Sequence, residues 1–159
     1  MLKCPIGDEA DYAKKYQDFA VSENLQEVVC FQYQRMLRYG GEWHLERRPL
    51  LPGCIFLSGD MKNIGKADAD REGGPKSKLS LIPCEIPFWK MLCQKDNLIV
   101  MSRGIIKDGN LVVTSGPLKG YERLIRKIDR HKRIAEIEVS LAGEETRVTV
   151  GLEIYQKQI

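Results

Sequence analysis

Apolar residues recur at spacings of three and four through Ala10, Ala13, Tyr16, Phe19 and Ala20, and Asp8 and Glu9 stand where a helix N-terminus favours negative charge. The spacing predicts an amphipathic helix over residues 8–22. The period then shortens. Leu25 to Gln34, through Val28, Val29, Cys30, Phe31 and Tyr33, reads as a strand, and Tyr39-Gly40-Gly41-Glu42 supplies a hairpin turn before a second, antiparallel strand from Trp43 to Arg48. Pro49-Leu50-Leu51-Pro52-Gly53 interrupts this pattern, and the continuous apolar run Cys54-Ile55-Phe56-Leu57 suits a buried central strand. From Ser58 to Ser80 glycines and charged residues predominate, which predicts mostly loop. Ile86, Trp89, Leu92 and Cys93 restore a helical stripe over Glu85 to Gln94, with Pro83 and Pro87 limiting where that helix begins. Helix, hairpin and central strand together predict an α+β sandwich.

The last third is β-rich. Leu111 to Thr114, Leu124 to Ile128, Ile134 to Leu141 and Arg147 to Ile154 are short strand patterns separated by Ser115-Gly116-Pro117, Arg130-His131-Lys132 and Ala142-Gly143-Glu144-Glu145. Ile137, Val139 and Leu141 alternate with Glu136, Glu138 and Ser140, and Val148, Val150 and Leu152 with Arg147, Thr149 and Gly151, so one face packs inward and the other meets water. So many strands in so few residues predict a small all-β barrel. Breaker-rich residues between about 97 and 106 place a boundary there, giving an N-terminal domain over 1–98 and a barrel over 105–159.

Charge changes the picture more than composition does. Gly116 to Arg133 carries seven cations, Lys119, Arg123, Arg126, Lys127, Arg130, Lys132 and Arg133, against Glu122 and Asp129, a net of +5 in a chain of +3. A concentration of this kind fits a polyanion, because each phosphate neutralised by Lys or Arg releases a condensed counterion. Arg126, Arg130 and Arg133 are candidates for bidentate phosphate contacts or base stacking, His131 for stacking, and Lys119, Lys127 and Lys132 for point charges, with Arg123 adding a further cation. A solvated barrel face is the plainer reading. No recognition helix is available for a major groove, which favours hairpin RNA over duplex DNA.

Chemistry of other kinds has little footing. The five cysteines, Cys4, Cys30, Cys54, Cys84 and Cys93, include no Cys-x-x-Cys pair, and the two histidines, His44 and His131, lie in no metal-ligand spacing, so no disulfide framework, metal or cofactor is expected. Cys54 after Pro52-Gly53 is the one tempting nucleophile, and a Cys-His hydrolase stands as a minor alternative. With no apolar stretch of signal-peptide or membrane-spanning length, the expectation is a soluble protein of a reducing cytoplasm, with no membrane partner.

Two segments, in order, resemble the NusG family of transcription elongation factors. Pro49-Leu50-Leu51-Pro52-Gly53-Cys54-Ile55-Phe56-Leu57 is similar to the apolar Pro-Gly strand of the family's NGN domain. Gly109-Asn110-Leu111-Val112-Val113 through Gly116-Pro117-Leu118-Lys119-Gly120, followed by Ile128-Asp129, is similar to the KOW motif of its SH3-like barrel. Lys127-Ile128-Asp129-Arg130-His131-Lys132-Arg133 looks most like the LoaP subgroup of specialised antiterminators. The resemblance implies a monomeric, non-enzymatic factor with an α+β NGN domain followed by the barrel. The first would dock on the clamp of the largest catalytic subunit of RNA polymerase through Phe31, Tyr33, Leu50, Leu51 and Cys54. The second would bind a nascent RNA hairpin through Lys119, Arg123, Arg126, Lys127, Arg130, His131, Lys132 and Arg133. Leu51 and Cys54 stand where the family carries contacting aromatics, and Arg123 where the motif has glycine. Leu118 and Ala142 replace the barrel aromatics that engage termination factor Rho or a ribosomal protein, which argues against a general coupling role. A KOW protein bound to ribosomal RNA is the remaining alternative.

Overall fold

The computed structural model describes residues 2–22, 27–58 and 85–158. The loop expected from Ser58 to Ser80 lies, beyond its first residue, outside the described residues, as do the side chains of Tyr16, Phe19 and Ala20. Among the described residues the chain is mixed α+β and mostly sheet, with two short helices. It divides into two compact units, one within Met1–Phe31 and Leu51–Leu81, the other within Gln32–Leu50 and Ile82–Ile159.

The first unit is a three-stranded antiparallel sheet beside a helix. Strands β1 (Leu2–Lys3) and β2 (Glu27–Val29) flank β5 (Cys54–Ser58), and α1 (Glu9–Ser22) follows β1. The continuous apolar run of β5 takes the central position, where both edges are hydrogen-bonded. Ile55 is fully buried there, packed by Cys4, Tyr12, Ala13 and Val28, and the Phe56 ring lies 4.5 Å from that of Phe31. The acidic helix start is used as a clamp rather than only as a dipole partner. Buried Glu9 accepts the N–H of Gly53 at 2.7 Å and that of Gly7 at 3.0 Å. Desolvation works to raise its pKa, but those backbone hydrogen bonds outweigh it and hold the carboxyl below its ordinary value. Gly53, at φ +75°, has no room for a Cβ, which would lie 2.9 Å from the Cys4 carbonyl oxygen.

In the second unit β3 (Gln32–Tyr39) and β4 (Glu42–Pro49) form the expected antiparallel hairpin, closed by Gly40 and Gly41 at φ +61° and +83°, the left-handed pair that a two-residue turn requires. The strand expected from Leu25 to Gln34 is two strands in different sheets. The chain breaks at Cys30 and Phe31, and β3 pairs β4 on one side and the short parallel strand β6 (Leu98–Ile99) on the other. Residues 97–106, expected as a connector, hold β6 and most of β7 (Ser102–Lys107). Helix α2 (Glu85–Leu92) buries Trp89 and Leu92, with Cys93 just beyond its end.

The C-terminal strands β7, β8 (Asn110–Ser115), β9 (Ile125–Asp129), β10 (Ile134–Leu141) and β11 (Glu144–Gln158) make a meander whose hydrogen-bonded order is β8-β7-β11-β10-β9. The parallel β7–β11 pair joins the first strand to the last, whereas β8 and β9 do not pair, so the ring is open rather than a closed barrel. The segment between β8 and β9 contains a 3₁₀ turn, Glu122–Leu124. The predicted alternation is realised: Ala135, Ile137, Val139 and Leu141 of β10 and Val148, Val150 and Leu152 of β11 are buried. Strand β11 changes partner midway. Residues 144–151 pair β10 and residues 152–158 pair β7, and at the changeover a Cβ on Gly151 would collide with Met101 Sδ and the Gln34 carbonyl.

Candidate functional site

Three separate backbone devices place the basic segment on this meander. Buried Ser102 of β7 accepts the Leu118 N–H at 3.1 Å, and Gly116, at φ +95°, lies so close that a Cβ would sit 2.6 Å from Ser102 Cα. Leu118 is fully buried beneath. The Glu122 carboxylate accepts the Val113 N–H at 3.2 Å, tying the 3₁₀ turn to β8. At the far end, Asp129 Oδ1 accepts the Lys132 N–H at 2.9 Å, and Arg133 turns left-handed at φ +53° before its carbonyl accepts the Leu152 N–H at 3.0 Å. The hydrogen bond from Lys132 is the largest influence on Asp129. Together with the Lys132 and His131 charges it outweighs desolvation and keeps the carboxyl below its ordinary value.

These devices present the cations in three different states. Cross-strand register puts Lys127 opposite Glu136, and their side chains meet at 3.9 Å; Arg126 Nη2 lies 3.1 Å from Glu138, which also takes Arg147 Nε at 3.4 Å. Exposed pairs of this kind contribute only about 0–1 kcal/mol, so a phosphate exchanges for the carboxylate at little cost. Arg133 is bound differently. Its guanidinium lies 3.9 Å above the Trp43 ring and 2.9 Å from Glu153, and the side chain is 27% exposed. Glu153 also holds Arg103 at 3.0 Å. Arg133 therefore ties the sheet to the hairpin. Lys119, Arg123 and Arg130 form the third group, exposed and without an ion pair to any described residue. Around the β9–β10 turn an open concavity of about 450 Å³ is lined by Lys127, Ile128, Asp129, Arg130 and His131, and the Lys132 ammonium lies 3.9 Å from Asp129 Oδ2.

The apolar candidates divide as well. Phe31, Leu51 and Cys54, in the first unit, are half-buried and keep exposed surface. Tyr33 and Leu50, in the second, are 7% and 4% exposed. Tyr33 lies on β3 where that strand is paired on both edges, opposite Arg48 on β4 and Ile99 on β6. Neither residue offers a face to a partner as the chain stands.

His44 is committed to the hairpin, its Nε2 3.2 Å from the Tyr39 carbonyl oxygen. Among the described cysteines, Cys4, Cys30 and Cys93 are free thiols. Burial pushes the Cys93 thiol up to about 12. Burial first, then the Glu9 charge, pushes Cys4 up to about 11. Among the described residues no cluster of His, Cys, Asp or Glu is arranged to hold a metal, and no helix is long and apolar enough to cross a membrane.

The sequence pattern concealed the neutralising carboxylates, which are distant along the chain and become neighbours only through the β9–β10 and β10–β11 registers. Their one visible trace is the polar phase of the β10 alternation, Glu136 and Glu138. The chain matches no protein-family model, and no curated protein matches it in sequence.

Proposed function

We propose that this protein is a transcription antitermination factor of the NusG type, closest in kind to the LoaP subgroup. Its N-terminal region is an NGN-type domain that docks on the RNA polymerase clamp, and its C-terminal meander is a KOW-type, SH3-like module that binds a nascent RNA hairpin. The observation that carries the RNA half is the segregation of the basic segment. The cations without carboxylate partners lie on the 116–124 connection and the β9–β10 turn, beside an open concavity that also presents His131. A turn held by the Asp129 hydrogen bond and a left-handed Arg133 offers phosphates a preset surface, so less ordering is lost on binding. The meander with its parallel β7–β11 pair and a gap at the 3₁₀ turn agrees with an SH3-like reading, and the buried Leu118 and the close approach of Gly116 to Ser102 give the Gly-Pro-Leu-Lys-Gly motif a structural reason.

No covalent chemistry is required. The factor acts by binding one polymerase conformation better than another and so shifts the balance toward elongation. Half-buried Phe31, Leu51 and Cys54 are the residues of the apolar set with surface for that contact.

The experiment is a purified transcription system with a terminator downstream of a leader hairpin, combined with co-purification of core polymerase and of ribosomes. Polymerase binding and increased readthrough are expected. Association with ribosomes and not polymerase, or unchanged readthrough, overturns the proposal.

A further inference from the structure

The tip of the β3–β4 hairpin carries a second aromatic and cationic arrangement, remote in sequence from the basic segment. The Tyr39 and His44 rings are stacked face to face, 3.7 Å between centroids and 8° from parallel, yet Tyr39 remains 53% exposed. The stack is held through the imidazole: His44 Nε2 is 3.2 Å from the Tyr39 carbonyl oxygen, and Arg48 holds Glu46 at 2.8 Å further along β4. Around the turn there is open space, since a Cβ built on Gly40 or Gly41 meets no atom within 4 Å. Exposed Arg38 and Arg47 have no ion pair to any described residue, and exposed Arg48 is paired only with Glu46.

We propose that the Tyr39–His44 stack is a platform for an unpaired nucleobase of a single-stranded nucleic acid, with Arg38 and Arg47 taking the flanking phosphates. A planar ring fixed in water, with an imidazole already stacked on it, extends naturally to a third flat layer. Every base has a π-face, so the contact tolerates any sequence. Charge complementarity selects the partner: residues 35–48 carry Arg35, Arg38, Arg47 and Arg48 against Glu42 and Glu46. Among the described residues, Tyr39 is the exposed large apolar residue on this face of the hairpin, and Leu37 beside it is half-buried. Leu45, the exposed large apolar residue nearby, follows His44 along β4 and so belongs to the opposite face. By the same alternation Arg38 and Arg47 lie on the face of Leu45, behind the stack, so a strand seated on the rings wraps the edge of the ribbon to bring its flanking phosphates to them.

The inference stands apart from the RNA reading of the β9–β10 turn, and the test separates them. A 12-nucleotide uridine oligomer containing one 2-aminopurine is titrated against the full chain, in RNA and DNA forms, with wild type, Tyr39→Phe, Tyr39→Val, Arg38→Ala with Arg47→Ala, and Arg130→Ala. Wild type and Tyr39→Phe should quench the 2-aminopurine on binding. Tyr39→Val, which keeps a strand former without a ring, should bind at least about tenfold more weakly. The double arginine variant should reduce the slope of log affinity against log salt by about one to two. Arg130→Ala, at the other site, should weaken hairpin RNA while leaving the 2-aminopurine quench at saturating oligomer at its wild-type value, because the base platform is intact. Equal affinity for the two forms indicates recognition of the base alone, and a preference for RNA indicates an added ribose contact.

Absence of quenching, or Tyr39→Val binding like wild type, overturns the proposal. Should Tyr39→Val fail to fold, the arginine pair decides: an unchanged salt slope also overturns it.

Discussion

Asp129 and Arg133 show how single side chains set the candidate RNA surface without necessarily touching RNA. Asp129 has its folded pKa depressed, so its contribution to the turn is complete above the ordinary carboxyl value of 3.8 and disappears as pH falls below that value, through the folded pKa. The Lys132 amide resonance, followed by NMR, should therefore titrate with a midpoint under 3.8. Asp129→Asn, which keeps an oxygen for the Lys132 N–H, should preserve the turn geometry and abolish that titration. Arg133→Ala and Arg130→Ala should behave oppositely. Loss of the stack on Trp43 and the pair with Glu153 is expected to cost about 1–2 kcal/mol in chemical denaturation. Arg130→Ala should leave the denaturation midpoint where it is and weaken hairpin RNA about tenfold, the scale of one charge-assisted hydrogen bond. Equal effects of the two substitutions on stability would contradict the division between tied and free cations. The thiols follow from burial: at pH 8 a thiol reagent should leave Cys93 unmodified until the protein unfolds, because its pKa is pushed up to about 12.

At the scale of elements, two joints that the hydrophobic pattern does not announce hold the second unit. Buried Glu85, at the start of α2, accepts hydrogen bonds from Ser140 Oγ at 2.7 Å and from the N–H groups of Ala142 and Gly143, each at 2.9 Å. It thus fastens the helix to the β10–β11 turn, where Ala142 is left-handed at φ +53°. Glu85→Ala strands those donors and should destabilise the protein by about 2–4 kcal/mol, read as a lower denaturant midpoint at an unchanged slope. Gly116→Ala should cost at least about 2 kcal/mol, since both a positive φ and a Cβ placed 2.6 Å from Ser102 Cα oppose it. An unaltered midpoint in either variant would remove that joint from the account. Helix α1, the β3–β4 hairpin, β5 and the alternating β10 and β11 were all legible, because each carries a complete local period. The split between β2 and β3 was not, since Cys30 and Phe31 continue the same apolar run and only pairing with different neighbours separates them. Strand β7 was hidden by Ser102-Arg103-Gly104, where Gly104 serves close backbone packing: a Cβ there would lie 2.8 Å from the Val112 carbonyl oxygen.

For the whole molecule the proposed role makes polymerase and RNA binding separable. Leu51→Asp places a charge on half-buried apolar surface and should lose polymerase co-purification while retaining hairpin RNA. Hairpin affinity should fall by about three to four decades per decade of salt if Lys119, Arg123, Arg130 and Lys132 engage about four phosphates; a flat response would sink the RNA half. The amino-acid sequence by itself determined the α+β character, most of the strands, the turn glycines and the position of the basic segment, because these depend on periodicity and backbone preference within a few residues. Tertiary structure alone decided which cations are free. That depends on the β9–β10 and β10–β11 registers, which bring Glu136 and Glu138 beside Lys127 and Arg126, and on the approach of the hairpin's Trp43 and of Glu153 to Arg133. Long-range contacts also buried Tyr33 and left the ring of strands open between β8 and β9. Charges far apart along a chain interact only when folding sets the distance between them, and no local pattern encodes that distance.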